Sequence, residues 1–178
     1  MIAIYEKHRE VITNYLLRMT GDPDLAEEVF CATFAAFFQT IERYEPRGRL
    51  MSYLLRIAHT KLADERKSRK RFGGSQSVHV QDKQLLSKHP LPDELAIAGE
   101  LREKIADALG RLPKHLREVV ILRLYENLDY ETIGSIVDAG EATVRSRMRY
   151  ALQTLRQWFS ASDRRGDPSS RAADFRKK

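Results

Sequence analysis

Apolar residues recur along most of the chain at spacings of three and four, as amphipathic helices require, and no segment alternates with the period of two expected of a strand. Tyr5, His8, Ile12, Tyr15, Leu16 and Met19 form the stripe of a first helix, which Thr20-Gly21 ends. Asp22-Pro23 restarts the chain, with Asp22 as N-cap and Pro23 at the first helical position. A second helix has a wide aromatic face of Phe30, Phe34, Phe37, Phe38 and Ile41, broken at Glu45-Pro46-Arg47-Gly48. A third starts near Arg49 and turns Leu50, Leu54, Ala58 and Leu62 inward.

From Phe72 to about Leu95 the periodicity lapses into a Gly-, Ser-, Gln-, His- and Pro-rich stretch that reads as a linker, with Leu85-Leu86 as a short apolar anchor. Helicity resumes with Leu101, Ile105, Ala108 and Leu109, stops at Leu112-Pro113, and resumes again with Leu116, Val119, Val120 and Leu124. Between Asp129 and Phe159 lie two helices joined by a short turn, with Asp129 placed to cap the first and Gly140 the second. In the last helix Val144, Met148, Leu152, Leu155 and Phe159 make the inward stripe, and Arg145, Ser146, Arg149 and Gln153 lie opposite. The expected fold is all-α: two small helical domains, 1–72 and 98–160, joined by a flexible linker at 73–97 and followed by a disordered basic tail at 161–178. The second domain contains a helix-turn-helix.

The chain has 178 residues, a formal charge of +6 and a pI near 9.5, a modest excess that favours a polyanionic partner. Its single cysteine, Cys31, excludes an intramolecular disulfide and is expected to be a small buried or half-buried apolar residue. No Cys/His cluster has zinc spacing, no apolar run approaches a membrane span, and no cofactor is expected; a cytoplasmic protein is the simplest reading.

Basic side chains concentrate on two helices. The third carries Arg49, Ser52, Arg56, His59, Thr60, Lys67 and Lys70 opposite its apolar stripe, with Arg66, Arg69 and Arg71 thickening its end and Tyr53 alongside. Cations contact phosphates, while aromatic and polar side chains hold an unstacked base. The last helix presents Arg and Ser side chains on a rod that fits the DNA major groove. The aromatic second helix is mostly core by spacing, yet apolar around so much of its circumference that a partner protein could bury the remainder. Asp64, Glu65, Asp82 and Glu94 lack a His partner at metal-ligand spacing, and no phosphate loop or nucleophile motif is present, so no enzyme is expected. The residues alone point to two helical domains on DNA, with a partner protein open.

The order of segments resembles the extracytoplasmic-function (ECF) class of bacterial RNA polymerase sigma factors, in the sigma-70 superfamily, over about residues 5–71 and 98–158. GDPDLAEEVFCATFAAF resembles the core-polymerase-binding segment, YEPRGRLMSYLLRIAHTKLADERKSRKR the part that melts and reads the −10 element, and LPKHLREVVILRLYENLDYETIGSIVDAGEATVRSRMRYALQTLR the domain that reads the −35 element. The resemblance implies polymerase contacts at Glu27, Glu28, Val29, Cys31, Ala32, Phe34 and Phe37. It implies −10 contacts at Tyr53, Arg56, His59, Thr60, Lys61 and Arg66, and −35 contacts at Thr143, Arg145, Ser146, Arg147, Arg149 and Tyr150. Its implied partners are core RNA polymerase, promoter DNA and an anti-sigma factor. The chain departs from the usual pattern at Cys31-Ala32 (commonly Gln-Glu), Tyr53 (Trp), Thr60 (Asn), Val137-Asp138-Ala139 (Leu-Gly-Ile) and Ala142 (Gly). The alternatives are a stand-alone helix-turn-helix regulator and a sigma-like interaction module that starts no transcription.

Overall fold

The computed structural model describes residues 2–44, 49–71 and 99–166, all of whose regular structure is helical. The 73–97 linker and most of the expected tail lie outside the described residues. In chain order the elements are α1 (Ile2–Thr20), α2 (Pro23–Thr40) with a 3₁₀ turn (Ile41–Arg43), α3 (Leu50–Arg71), α4 (Gly99–Arg111), α5 (Lys114–Leu124), α6 (Tyr130–Val137) and α7 (Glu141–Gly166). The last helix therefore continues through 161–166, where a disordered tail is expected from the sequence.

Helices α1, α2 and α3 form the first unit. Gly21 adopts φ 69°, a left-handed conformation that suits glycine, and its N–H closes α1 on the Leu17 carbonyl at 2.8 Å. One residue later the Asp22 carboxylate accepts from the Asp24 and Leu25 amides at 3.0 and 3.1 Å, and Pro23 opens α2. This tight corner lays α2 back along α1. Tyr15, Leu16, Phe37, Leu54 and Leu55 then meet in a core from which water is excluded. A chain of ring contacts, Tyr5–Phe30–Phe34–Phe38–Phe37–Tyr44–Tyr53, extends along one side at centroid distances of 4.8–6.2 Å.

The second unit is built around α5. Val119, Val120, Ile121 and Leu122 are all buried, so this helix is enclosed on every side. Helices α6 and α7 of its own unit cover one face, and α1 of the first unit covers another. The sequence pattern places Leu124 inward; instead it is 60% exposed, and Ile121 and Leu122 take the interior. A stripe read for an isolated domain omits the face that the other unit covers. A second correction falls on α7. Leu152, expected inward, is exposed, while Val144, Met148 and Ala151 are buried with Leu155 partly so. The helix is rotated so that its smallest apolar residue lies at the contact, where backbones can approach closely.

The helix-turn-helix owes its shape to three local features. The Asp129 carboxylate caps α6, accepting the Thr132 amide at 2.7 Å and the Thr132 hydroxyl at 3.1 Å. Asp138 ends α6 in the left-handed region, φ 51°, a conformation that Asp tolerates better than most residues. Gly134 lets the turn fold back: the Ala139 N–H bonds the Gly134 carbonyl at 3.0 Å, and a Cβ at Gly134 would sit 2.5 Å from the Ala139 carbonyl oxygen. The Gly140 carbonyl accepts the first helical bond of α7 from Val144 at 3.1 Å, the cap position expected for it.

Candidate nucleic-acid interface

The outer face of α7 is open. Thr143, Arg145, Arg149 and Tyr150 are exposed, and Ser146 and Arg147 are half-buried. Arg145 is folded back on Glu141, one turn earlier, and lies 5.0 Å over the Tyr130 ring; Arg149 lies over Tyr150 at 5.4 Å. Exposed pairs of this kind are worth little, so both guanidiniums can exchange them for phosphate or base edges. All six residues expected at the −35 element therefore share the first three turns of one helix.

The α3 face is divided. Arg56 and Thr60 are exposed, Lys61 is half-buried, and the Thr60 hydroxyl returns to the Arg56 carbonyl at 3.0 Å. Tyr53 stands in the aromatic chain, 5.1 Å from the Tyr44 ring and with its hydroxyl 3.3 Å from that of Thr40. His59 and Arg66, expected on the DNA strand, are turned into a junction with the second unit. His59 Nδ1 lies 2.7 Å from Glu118 Oε1, which also accepts the Tyr15 hydroxyl. Arg66 donates to the Met19 carbonyl at 2.8 Å, and Arg117 reaches the same oxygen at 3.4 Å. The hydrogen bond from Glu118 raises the His59 pKa above its ordinary value, outweighing partial burial. Burial holds the Tyr15 phenol well above its ordinary range, so it stays a donor, and burial also lowers Arg66.

On α2 only part of the expected polymerase-facing set is at the surface. Glu27, Glu28 and Cys31 are exposed and Ala32 is half-buried. Val29, Phe34 and Phe37 are instead 1%, 4% and 0% exposed, because the aromatic spacing serves the core of the three-helix unit. Cys31, expected to be buried or half-buried, is exposed on the opposite side of the helix. Glu28, Ala32, Lys61, Asp64, Glu65 and Ser68 line a shallow groove of about 220 Å³ between α2 and α3. Arg69 closes one end, bonding Glu28 at 2.6 Å and Glu65 at 2.9 Å, with Asp22 at 3.9 Å. Glu118 was missed by sequence reasoning. Its one signal is position: a carboxylate beside Val119–Leu122, in a helix too apolar to have only one buried face.

Two helical units, the second a helix-turn-helix with an open basic helix, define a DNA-binding protein of the transcription machinery once the comparisons are added. The model of Sigma-70 region 2 matches residues 4–72, and that of Sigma-70, region 4 matches residues 108–157. Among similar proteins, the ECF RNA polymerase sigma factor SigL of Mycobacterium tuberculosis is 33% identical over 157 residues, 88% of this chain and 86% of the relative. SigK of a Mycobacterium species is 27% identical over 164 residues, 90% and 83% of the two chains. The sigma factor RpoE of Bartonella quintana, solved in complex with the anti-sigma factor NepR, has the same fold: TM-score 0.73 at 18% identity, over 89% of this chain and 95% of that one. The chain belongs to the ECF RNA polymerase sigma factors.

Proposed function

We infer that the chain directs promoter-specific transcription initiation by binding core RNA polymerase and holding a promoter at two points. The observation that carries this reading is the pairing of regions 2 and 4, in order, with a region 4 helix whose cationic face is open to solvent. The N-terminal turns of α7 enter the −35 major groove, with Arg145, Ser146 and Arg149 at bases and nearby phosphates and Arg147 at the flank. Tyr53, Arg56, Thr60 and Lys61 receive the −10 strand, and His59 and Arg66 join them when released from the second unit. An unstacked base costs a few kcal/mol, which aromatic and polar walls offset. Polymerase docks on the solvent face of α2 at Glu27, Glu28, Cys31 and Ala32, with Val29, Phe34 and Phe37 holding that face from beneath.

The chain acts in the cytoplasm, where polymerase and promoter are; among the described residues no helix is long and apolar enough to cross a membrane. The Bartonella complex supports control by an anti-sigma protein. The test adds purified chain to core RNA polymerase and a promoter library. Promoter-specific transcripts are expected. Absence of core binding at low salt overturns the reading. Tight operator binding without polymerase would identify a stand-alone regulator, and capture of a partner with neither activity an interaction module.

A further inference from the structure

The two helices of the helix-turn-helix touch through a side-chain pair that the turn itself sets up. Tyr130 is the first residue of α6, and the Asp129 cap fixes the backbone on which it stands. The close approach at Gly134 and the left-handed Asp138 bring the start of α7 back against α6. Two guanidiniums then lie over the half-buried Tyr130 ring, Arg145 of α7 at 5.0 Å and Arg123 of α5 at 5.1 Å from its centroid. Arg123 is itself anchored, donating to the Leu128 carbonyl at 2.7 Å. Cap, loop and anchored cation together hold the ring in place.

Arg145 is exposed, and its two holders differ in what they occupy. Its Nε donates to Glu141 Oε1 at 3.0 Å and its Nη2 donates to the same oxygen, so the carboxylate uses the N–H edge that a base or phosphate needs. The ring uses only the face of the guanidinium, because the cation is drawn to the negative face of the aromatic quadrupole. All five N–H donors lie in the guanidinium plane and stay available beside a stacked ring. The carboxylate must leave when DNA binds; the ring need not.

We propose that Tyr130 is a positioning residue for base readout: its ring holds the Arg145 guanidinium in the plane in which two N–H groups meet one base edge. Tyr130 thus helps set the −35 sequence by acting through Arg145. The base that fits is guanine, whose O6 and N7 accept a bidentate guanidinium in the major groove. An arginine side chain has many rotamers, and ordering it on binding costs affinity. A guanidinium that already rests on a fixed ring has lost part of that freedom beforehand. Phosphates accept from a loosely held cation at many angles, whereas the two acceptors of guanine demand one plane. Loss of the ring therefore affects discrimination more than overall affinity. The assignment to the −35 element rests on the sigma-factor reading of α7; the stack itself does not.

The test uses the full chain bound to core RNA polymerase and a pool of promoters from the library selection, each with one −35 base pair changed. Arg145→Ala identifies the base pair that Arg145 reads, as the position where preference is lost. Tyr130→Leu should cut the preference for guanine there roughly two- to five-fold, the share of an exposed cation–π contact, and leave the other positions as they are. Tyr130→Phe keeps the ring and should keep the preference. Tyr130→pentafluorophenylalanine keeps the shape of the ring but reverses the charge of its face, and should behave like the leucine variant. It also decides the matter if Tyr130→Leu does not fold, which circular dichroism checks. In an Arg145→Ala background, Tyr130→Leu should change no position further. Uniform weakening at every base pair, or a fluorinated ring that discriminates as tyrosine does, would overturn the proposal and leave Tyr130 a packing residue. A wild type with no Arg145-dependent position overturns it as well. If the chain binds its site without polymerase, the same pool is read with the chain alone. The sigma-factor reading then falls, while the role of Tyr130 is still decided by its own variants.

Discussion

Adjacent positions on α7 give opposite responses to the same substitution. Ala151 has no solvent exposure, whereas Leu152 is 37% exposed. Ala151→Asp introduces a carboxylate with no partner into a packed helix interface. The cost combines overpacking, about 1–3 kcal/mol, with desolvation of an unpaired charge, several kcal/mol more. A total of roughly 4 kcal/mol or above approaches the whole stability of a small domain. Leu152→Asp removes a side chain that is already one-third in water. The lost burial is about 1–2 kcal/mol from a full value of 1.5–3, and the poorer helix propensity of Asp adds a few tenths. The chain's single tryptophan, Trp158, lies two turns further along the same helix and contacts Phe159 at 4.9 Å, so its fluorescence reports on this unit. At a urea dependence of about 2 kcal/mol per molar, Ala151→Asp should lower the midpoint by about 2 M or leave no transition, and Leu152→Asp by less than about 1 M. The reverse ranking would mean that α7 is rotated from the orientation described, with the register of its DNA face wrong as well.

Three further perturbations bear on the turn, the corner and the interface. Gly134→Val should destabilise the second unit by about 1–3 kcal/mol, because its Cβ would meet the Ala139 carbonyl oxygen at 2.5 Å and the turn must shift; a wild-type melting curve would contradict the close approach. Asp22→Ala removes the acceptor for two amides at the start of α2 and should cost about 1 kcal/mol, a fall of a few degrees in Tm by circular dichroism; an unchanged Tm would show the cap to be dispensable. Arg149→Ala should weaken −35 binding and reduce the slope of log K against log salt by about 1, one phosphate's share; an unchanged slope and affinity would remove Arg149 from the interface.

Local chemistry made the elements legible. Thr20-Gly21-Asp22-Pro23 states a helix stop and restart in four residues, and Asp129 and Gly140 mark the starts of both helix-turn-helix elements. What the chain does to itself over distance was not legible. Periodicity allows either Ala151 or Leu152 on the inner side of α7, and hydropathy favours the leucine; the packing selects the alanine for its size. Val29, Phe34 and Phe37 looked available to a partner only while α2 was considered without α1 and α3 around it. The pattern puts His59 and Arg66 on the polar face of α3, but their partners are Glu118, 59 residues beyond His59, and the Met19 carbonyl, 47 residues before Arg66. The unbroken apolar run Val119–Leu122, too wide for one buried face, is the sequence signal of a second neighbour for α5.

The double capping of Met19 bears on how such a protein searches a genome. A chain with 31 basic residues would be expected to linger on any DNA it meets. Yet Arg66 and Arg117 grip the Met19 carbonyl oxygen at the end of α1, and Arg117 those of Leu109 and Leu112 at the end of α4, much as they would grip phosphates. The free protein thus carries internal decoys for its own cations. Bulk DNA must compete with them for these two guanidiniums, which lowers residence on the vast excess of non-promoter sequence and leaves more of the protein free to reach its target.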